Sequence, residues 1–211
     1  MGEVLRIDPL NPDRSALDCV AGVIRAGGVI VYPTDTVYGL GCAPDKLVAL
    51  AHVIAIKRRA GKKGVLLLVP SFESVPPLCS TIPPAFDPLA RQFWPGPVTF
   101  LLPAYAELSR LISGERGLVG LRKPDSAYLQ LLMEMIPGPL VSTSANISGE
   151  RPSGRVEDLK GQLLDQVDLF VDGGDSGKAI PSTVVDLSVT PPRVVRRGPL
   201  GRQVEEAIAK F

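Results

Sequence analysis

Short apolar runs separated by amphipathic helical patterns constrain this chain more than any single residue does. Val29 to Tyr32, Val65 to Val69, Val98 to Leu102, Leu118 to Arg122, Leu140 to Thr143, Leu169 to Asp172, Thr183 to Leu187 and Val194 to Arg196 have the length and apolar content of strands. Before the first of them, Leu17, Val20, Ala21 and Ile24 recur at helical spacing. Asn11 or a neighbour is expected to cap that helix, with Pro12 in its first turn and Gly27 and Gly28 stopping it. A second helix is predicted from about Asp45 to near Gly61, with Leu47, Leu50, Ala51 and Ile54 on one face. Further helical patterns cover Phe86 to Trp94 and about 107 to 113, 126 to 136, 155 to 166 and 201 to 210. Apolar strands need cover, and the helices between them can supply it. The pattern therefore predicts an α/β domain with a mixed sheet flanked by helices, its last two strands pairing antiparallel.

A chain of 211 residues, 45% of them hydrophobic, can bury one substantial core, and the absence of repeats or linkers predicts a single domain. No apolar run approaches the roughly 18 residues of a membrane span. The opening MGEVLRIDPLNPDR has neither a signal-peptide pattern nor, with Arg6 in place, a myristoylation signal, so the cytoplasm is expected. Twenty-three basic residues against 22 acidic ones argue against a surface built to coat nucleic acid. Cys19, Cys42 and Cys79 are too scattered for a disulfide framework or a thiolate metal site and read as small apolar residues. His52 is the only histidine, which leaves triads and histidine zinc sites nothing to build from; it reads as an ordinary helix residue.

Five polar segments fall at the ends of these elements: PTDTVYGLG (33 to 41), KRRAGKKG (57 to 64), GLRKP (120 to 124), STSANISG (142 to 149), and STVVDL with RRG (182 to 198). Ligands of open α/β sheets collect at strand ends. Each segment also has a plain structural explanation: threonines bond turn backbone, cations favour a helix C-terminus, and Asn or Gly accepts left-handed backbone. Together they supply complementary chemistry. Lys57, Arg59, Lys63, Arg122 and Arg196 offer positive charge, while Thr36, Ser144, Asn146 and Ser182 offer short hydrogen-bonding groups. That set suits a polyphosphate beside a small zwitterion. No GxxxxGK[ST] sequence is present, so a nucleotide must be held in another way.

The ordered motifs VIVYPTDTVYGLGC, KRRAGKK, WPGPVTFLLPA, LRKP, STSANISG, STVVDL and VVRRG resemble the YrdC-like family of threonylcarbamoyl-AMP synthases over roughly residues 14 to 200. The resemblance implies a twisted sheet around a large cationic cavity, as in dihydroxybutanone phosphate synthase. It also implies a reaction in which L-threonine, bicarbonate or carbon dioxide, and ATP give threonylcarbamoyl-AMP and pyrophosphate. Other proteins then transfer the group to tRNA, with transient tRNA contact compatible. By their match to the family motifs, Thr36, Arg122, Ser142 and Ser182 are expected at threonine. Lys57, Arg59, Lys63, Ser144, Asn146 and Arg196 are expected at ATP, with Lys57 and Arg59 nearest the chemistry and magnesium carried by the substrate phosphates.

In the reaction that the resemblance implies, no nucleophilic side chain is required, because the carbamate of threonine attacks the α-phosphate itself. The chain departs from the family in having Ala60 and Lys63-Gly64-Val65 where many members carry proline-containing versions, and in lacking a histidine near Leu68. It resembles the short single-domain form, so the 57 to 64 loop is the expected shield. Related domains that make carbamoyl-adenylate in hydrogenase maturation offer one alternative, and a module binding structured RNA offers another.

Overall fold

The computed structural model describes residues 2–58, 64–146, 153–176 and 179–211. Its strands are β1 (Glu3–Arg6), β2 (Ile30–Tyr32), β3 (Gly39–Gly41), β4 (Leu66–Leu68), β5 (Val98–Pro103), β6 (Leu118–Arg122), β7 (Leu140–Ser144), β8 (Leu169–Asp172), β9 (Thr183–Asp186) and β10 (Arg193–Arg196). They form one sheet in the order β1-β8-β2-β3-β7-β4-β6-β5-β9-β10. The predicted mixed character holds: β1 and β2 flank β8 in parallel, as β6 does β4 and β9 does β5, while the other neighbours run antiparallel. The last two strands pair antiparallel as expected.

The helices are α1 (Arg14–Ala26), α2 (Leu47–Ile56), α3 (Phe86–Phe93), α4 (Arg110–Ser113), α5 (Ala127–Met135), α6 (Val156–Leu163) and α7 (Gly201–Ile208). In α1 the cap is Asp13, not Asn11: its carboxylate accepts from the Ser15 N–H at 2.8 Å, leaving Pro12 just outside the helix. Gly27 closes it in the left-handed region.

Two strands were not expected. The first, β1, is an edge strand, largely exposed, that pairs only with β8. The second, β3, is the GLG of the polar segment after β2, which the glycines make look like a loop. It forms because both neighbours are in place, β2 on one side and β7 on the other. The glycine at 41 answers a steric demand, since a Cβ there would lie 1.8 Å from the Val141 carbonyl oxygen. Gly41→Ala is therefore expected to lower unfolding stability by about 3 kcal/mol. An unchanged urea midpoint would contradict that packing.

The core is built on both faces of the sheet. One cluster sets Val141, Leu67, Val119, Leu121, Phe100 and Val185 against α2, α3 and α7. The other joins Tyr32, Leu68 and Leu140 to α1 and α5. Cys42 and Cys79 are buried, as expected of small apolar residues, and burial pushes both thiols up to about 12. Cys19 is exposed on α1. At pH 8 a thiol reagent should modify Cys19 promptly and the other two only after denaturation. Prompt reaction of a second thiol in the native protein would count against this core.

Candidate active site

Strand alternation divides side chains between core and cavity. Along β6, Val119 and Leu121 enter the core, whereas Leu118, Gly120 and Arg122 line a cavity. The same parity holds for Thr99 and Leu101 of β5, Leu66 of β4 and Val184 of β9, while the end of β7 lines the cavity with three successive residues, Ser142, Thr143 and Ser144. At one end of this face, α1 and α5 cover Leu68 and Leu140. The cavity occupies the face beyond them, with a volume of about 440 Å³, within the ~300–1,000 Å³ usual for small-molecule sites. Arg116, Arg122 and Arg196 line it, and no Asp or Glu does among the described residues.

The segment between β2 and β3 forms one wall. Thr34 organises it: its hydroxyl accepts from the Thr36 N–H at 3.0 Å and donates to the Val37 carbonyl at 2.7 Å. The Tyr38 hydroxyl donates to the Gly174 carbonyl at 2.8 Å and accepts from the Gly173 N–H at 3.0 Å. Burial pushes that phenol up to about 12, so it is neutral in the physiological range. The Thr34 and Tyr38 hydroxyls are thus committed to backbone. Thr36 is the member of the trio whose hydroxyl meets a charge.

That charge is Arg122, 3% exposed, whose NH1 donates to Thr36 Oγ1 at 3.1 Å and pairs with Asp35 Oδ1 at 3.1 Å. Asp35 is fixed in turn, its Oδ2 accepting from the Asp125 N–H at 3.2 Å. Burial pulls the Arg122 pKa below its ordinary value and Asp35 opposes the shift; a guanidinium remains charged throughout. The Arg122 Nε is buried without a protein partner among the described residues. An unmade bond of that kind costs about 1–3 kcal/mol, which a bound anion would recover.

Arg196 of β10 reaches Ser182, just before β9, its Nε donating to the carbonyl at 3.0 Å and its NH2 to the hydroxyl at 3.1 Å. The Ser182 and Thr99 hydroxyls are 2.8 Å apart, which extends the network into β5. Lys57 meets two other residues expected at ATP, Ser144 and Asn146, and is buried against them. It leaves α2 as the C-terminal cap, 2% exposed, and donates to the Ser144 carbonyl at 2.6 Å, to Asn146 Oδ1 at 2.8 Å and to the Asn146 carbonyl. The helix ends at Ile56, short of the expected Gly61, because Arg58, after the cap Lys57, takes a left-handed backbone with φ 48°.

Thr36, Arg122, Ser142, Ser144, Ser182 and Arg196 therefore surround one cavity. Lys57 and Asn146 stand behind its Ser144 wall and do not line it. Arg59 and Lys63 lie outside the described residues. Gly64, where the chain departs from the family pattern, packs so closely on α4 that a Cβ would lie 1.9 Å from the Ile112 carbonyl oxygen. Leu68, the position near which this chain lacks a histidine, is buried under α1 and α5, and His52 is an exposed helix residue as expected.

Sequence reasoning missed Asp35, Thr99 and Arg116. Asp35 stood in the quoted motif beside Thr36, Thr99 looked like part of an apolar strand, and Arg116 lay in a glycine-flanked turn. No group of three or more His, Cys, Asp or Glu side chains able to hold a metal occurs among the described residues. Nor is any described helix long and apolar enough to cross a membrane.

A family model described as telomere recombination, covering Sua5, YciO and YrdC, matches residues 22–198. The threonylcarbamoyl-AMP synthase of Vibrio vulnificus is 36% identical over 174 residues, spanning 82% of this chain and 94% of that protein. The crystal structure of Escherichia coli YciO superposes with a TM-score of 0.86 at 32% identity, covering 94% of this chain and 97% of that one. Pyrococcus abyssi Sua5 complexed with L-threonine gives a TM-score of 0.91 at 30% identity, covering 99% of this chain and 61% of that one. In sequence and in fold, this chain belongs to the Sua5/YciO/YrdC family.

Proposed function

We propose that this chain is an L-threonylcarbamoyladenylate synthase, a nucleotidyltransferase of the cytoplasm that works for threonylcarbamoyladenosine modification of tRNA. The observation that carries the reading is the shared cavity. Side chains from position 36 to position 196 converge on one space, with a buried guanidinium on one side and Ser144 and Arg196 elsewhere on the wall. The naming of the Vibrio relative and the threonine complex of the Pyrococcus relative support it.

In this reading Arg122 takes the threonine carboxylate through its unpartnered Nε–H, and Thr36, Ser142 and Ser182 meet the rest of the amino acid. A site that bonds a substrate hydroxyl rejects analogues lacking it. Ser144 and Arg196 face the nucleotide, Lys57 and Asn146 hold the Ser144 turn, and Arg59 and Lys63 are assigned to the phosphates on their motif alone. The threonine amine, unprotonated, adds to carbon dioxide and loses a proton to give a carbamate. A carbamate oxygen then attacks the α-phosphorus of ATP, the bond from that phosphorus to the bridging oxygen breaks, and pyrophosphate leaves. Alignment and cations carry such a step, with no covalent enzyme intermediate.

Magnesium is the ion expected with ATP, where it screens phosphate charge. The cavity lining offers hydroxyls and guanidiniums and no carboxylate among the described residues, and Asp35 is committed to Arg122. Those donors fit an ion carried on phosphates and water better than one caged by the protein. The product passes to partner proteins that transfer the group to tRNA, with at most transient tRNA contact by this chain.

The test is pyrophosphate release from ATP by purified protein, with L-threonine and bicarbonate each omitted in turn. Dependence on both is expected. Retention of tRNA without any turnover would replace this reading with that of an RNA-binding module.

A further inference from the structure

Arg116 and Asp186 have no role in the reading above, yet the fold joins them at the cavity. Arg116 lies between α4 and β6 and lines the wall with Ser113 and Leu118. Its NH2 donates to Asp186 Oδ2 at 2.7 Å. Asp186 ends β9, opposite Leu101 of the cavity wall, and is completely buried. Its other oxygen accepts from the Ser188 N–H at 3.0 Å and from the Ser188 hydroxyl at 2.6 Å.

A buried carboxylate is costly unless it is paired and fully hydrogen-bonded. Asp186 meets that condition, while the Arg116 side chain it holds is 54% exposed. Burial alone would raise the Asp186 pKa, but Ser188 and Arg116 outweigh it and hold the group below its ordinary value. Arg193 stands 3.6 Å from the same carboxylate oxygen, so two guanidiniums face one carboxylate and a positive excess remains. Arg196 adds to that excess along the same strand.

We propose that Arg116, held by the positioning residue Asp186, is a further phosphate contact of this cavity, taking the terminal phosphates of ATP and then the departing pyrophosphate. Arg122 is the buried receptor suited to a small carboxylate, whereas a half-exposed guanidinium suits a solvated polyanion, which it can grip through parallel hydrogen bonds. The identity of the nucleotide rests on the synthase reading; the anion site itself rests on the Arg116 and Asp186 geometry.

Titrations of ATP, inorganic pyrophosphate, AMP and L-threonine into wild type, Arg116→Ala, Arg116→Lys and Asp186→Asn test it. Arg116→Ala should weaken ATP and pyrophosphate about tenfold, equivalent to ~1.4 kcal/mol, and flatten their salt dependence. AMP and threonine should change less than about twofold, and Arg116→Lys should restore part of the loss. Asp186→Asn should shift ATP in the same direction; if it fails to fold, the Arg116 pair still decides. Unchanged ATP affinity in Arg116→Ala, or equal losses for ATP and AMP, would overturn the assignment. Wild type that binds ATP and shows the Arg116 effect without turning over would sink the synthase reading alone. Wild type that binds neither ATP nor pyrophosphate would sink both.

Discussion

Replacing Arg122 by lysine should cut kcat/KM for L-threonine by about a hundredfold while leaving the KM for ATP within about threefold. The guanidinium bonds Thr36 and pairs with Asp35 while still presenting a buried Nε–H without a partner among the described residues, and an ammonium can keep a charge beside Asp35 but not all three at once. Charge-assisted hydrogen bonds to a substrate carboxylate are worth about 1.5–3 kcal/mol each, and losing the planar fork loses their geometry as well. Lysine is the informative choice because it keeps a cation beside Asp35. Arg122→Ala would strand that carboxylate, whose side chain is 10% exposed, at a cost of about 3–5 kcal/mol. The alanine variant should therefore fail in urea titration as well as in turnover, and the lysine variant mainly in turnover. Equal effects on ATP and threonine in Arg122→Lys would show that the two sides of the cavity are divided wrongly.

Lys57→Met should be the more damaging change to the protein itself. The ammonium is buried against the Ser144 carbonyl and against both the carbonyl and side-chain oxygen of Asn146. Methionine matches the length of the stem and supplies no donor, so each of these acceptors loses a charge-assisted bond worth about 1.5–3 kcal/mol before relaxation. A loss of about 3 kcal/mol in urea unfolding is expected, together with at least tenfold weaker ATP binding because the Ser144 turn loosens. From sequence alone Lys57 reads as a contact to the nucleotide phosphates, a role in which its removal spares the fold. Full stability with lost ATP binding would restore that simpler role and remove the brace.

These two residues also mark what could and could not be read from the chain. The bounds of β6 and β8 match the sequence prediction, since Leu118 to Arg122 and Leu169 to Asp172 are apolar runs flanked by clear breaks. Arg122 was legible twice over: it lies in a motif, and the alternation of Leu118, Gly120 and Arg122 with Val119 and Leu121 puts it on the face opposite the core. The strand at Gly39–Gly41 was not legible, because its stability comes from neighbours on both sides and its glycines from a close approach to Val141. The Thr99 contact was hidden for the same reason, its partner Ser182 being brought alongside only by the parallel pairing of β5 and β9. Lys57 was grouped from sequence with Ser144 and Asn146, which it does meet, but its burial was not legible, since nothing local reveals that a lysine at a helix end will point inward. Sequence motifs thus carried the chemistry of the cavity, whereas its supports depended on strand order.

A crystal structure of this chain with L-threonine and a non-hydrolysable ATP analogue bound together tests the shared cavity most directly. The account predicts both ligands in the one space, the threonine carboxylate on Arg122 and the polyphosphate along Ser144 and Arg196, with the amine facing the α-phosphate. Ligands found in separate places, or an amino acid bound away from Arg122 when the nucleotide is present, would contradict it.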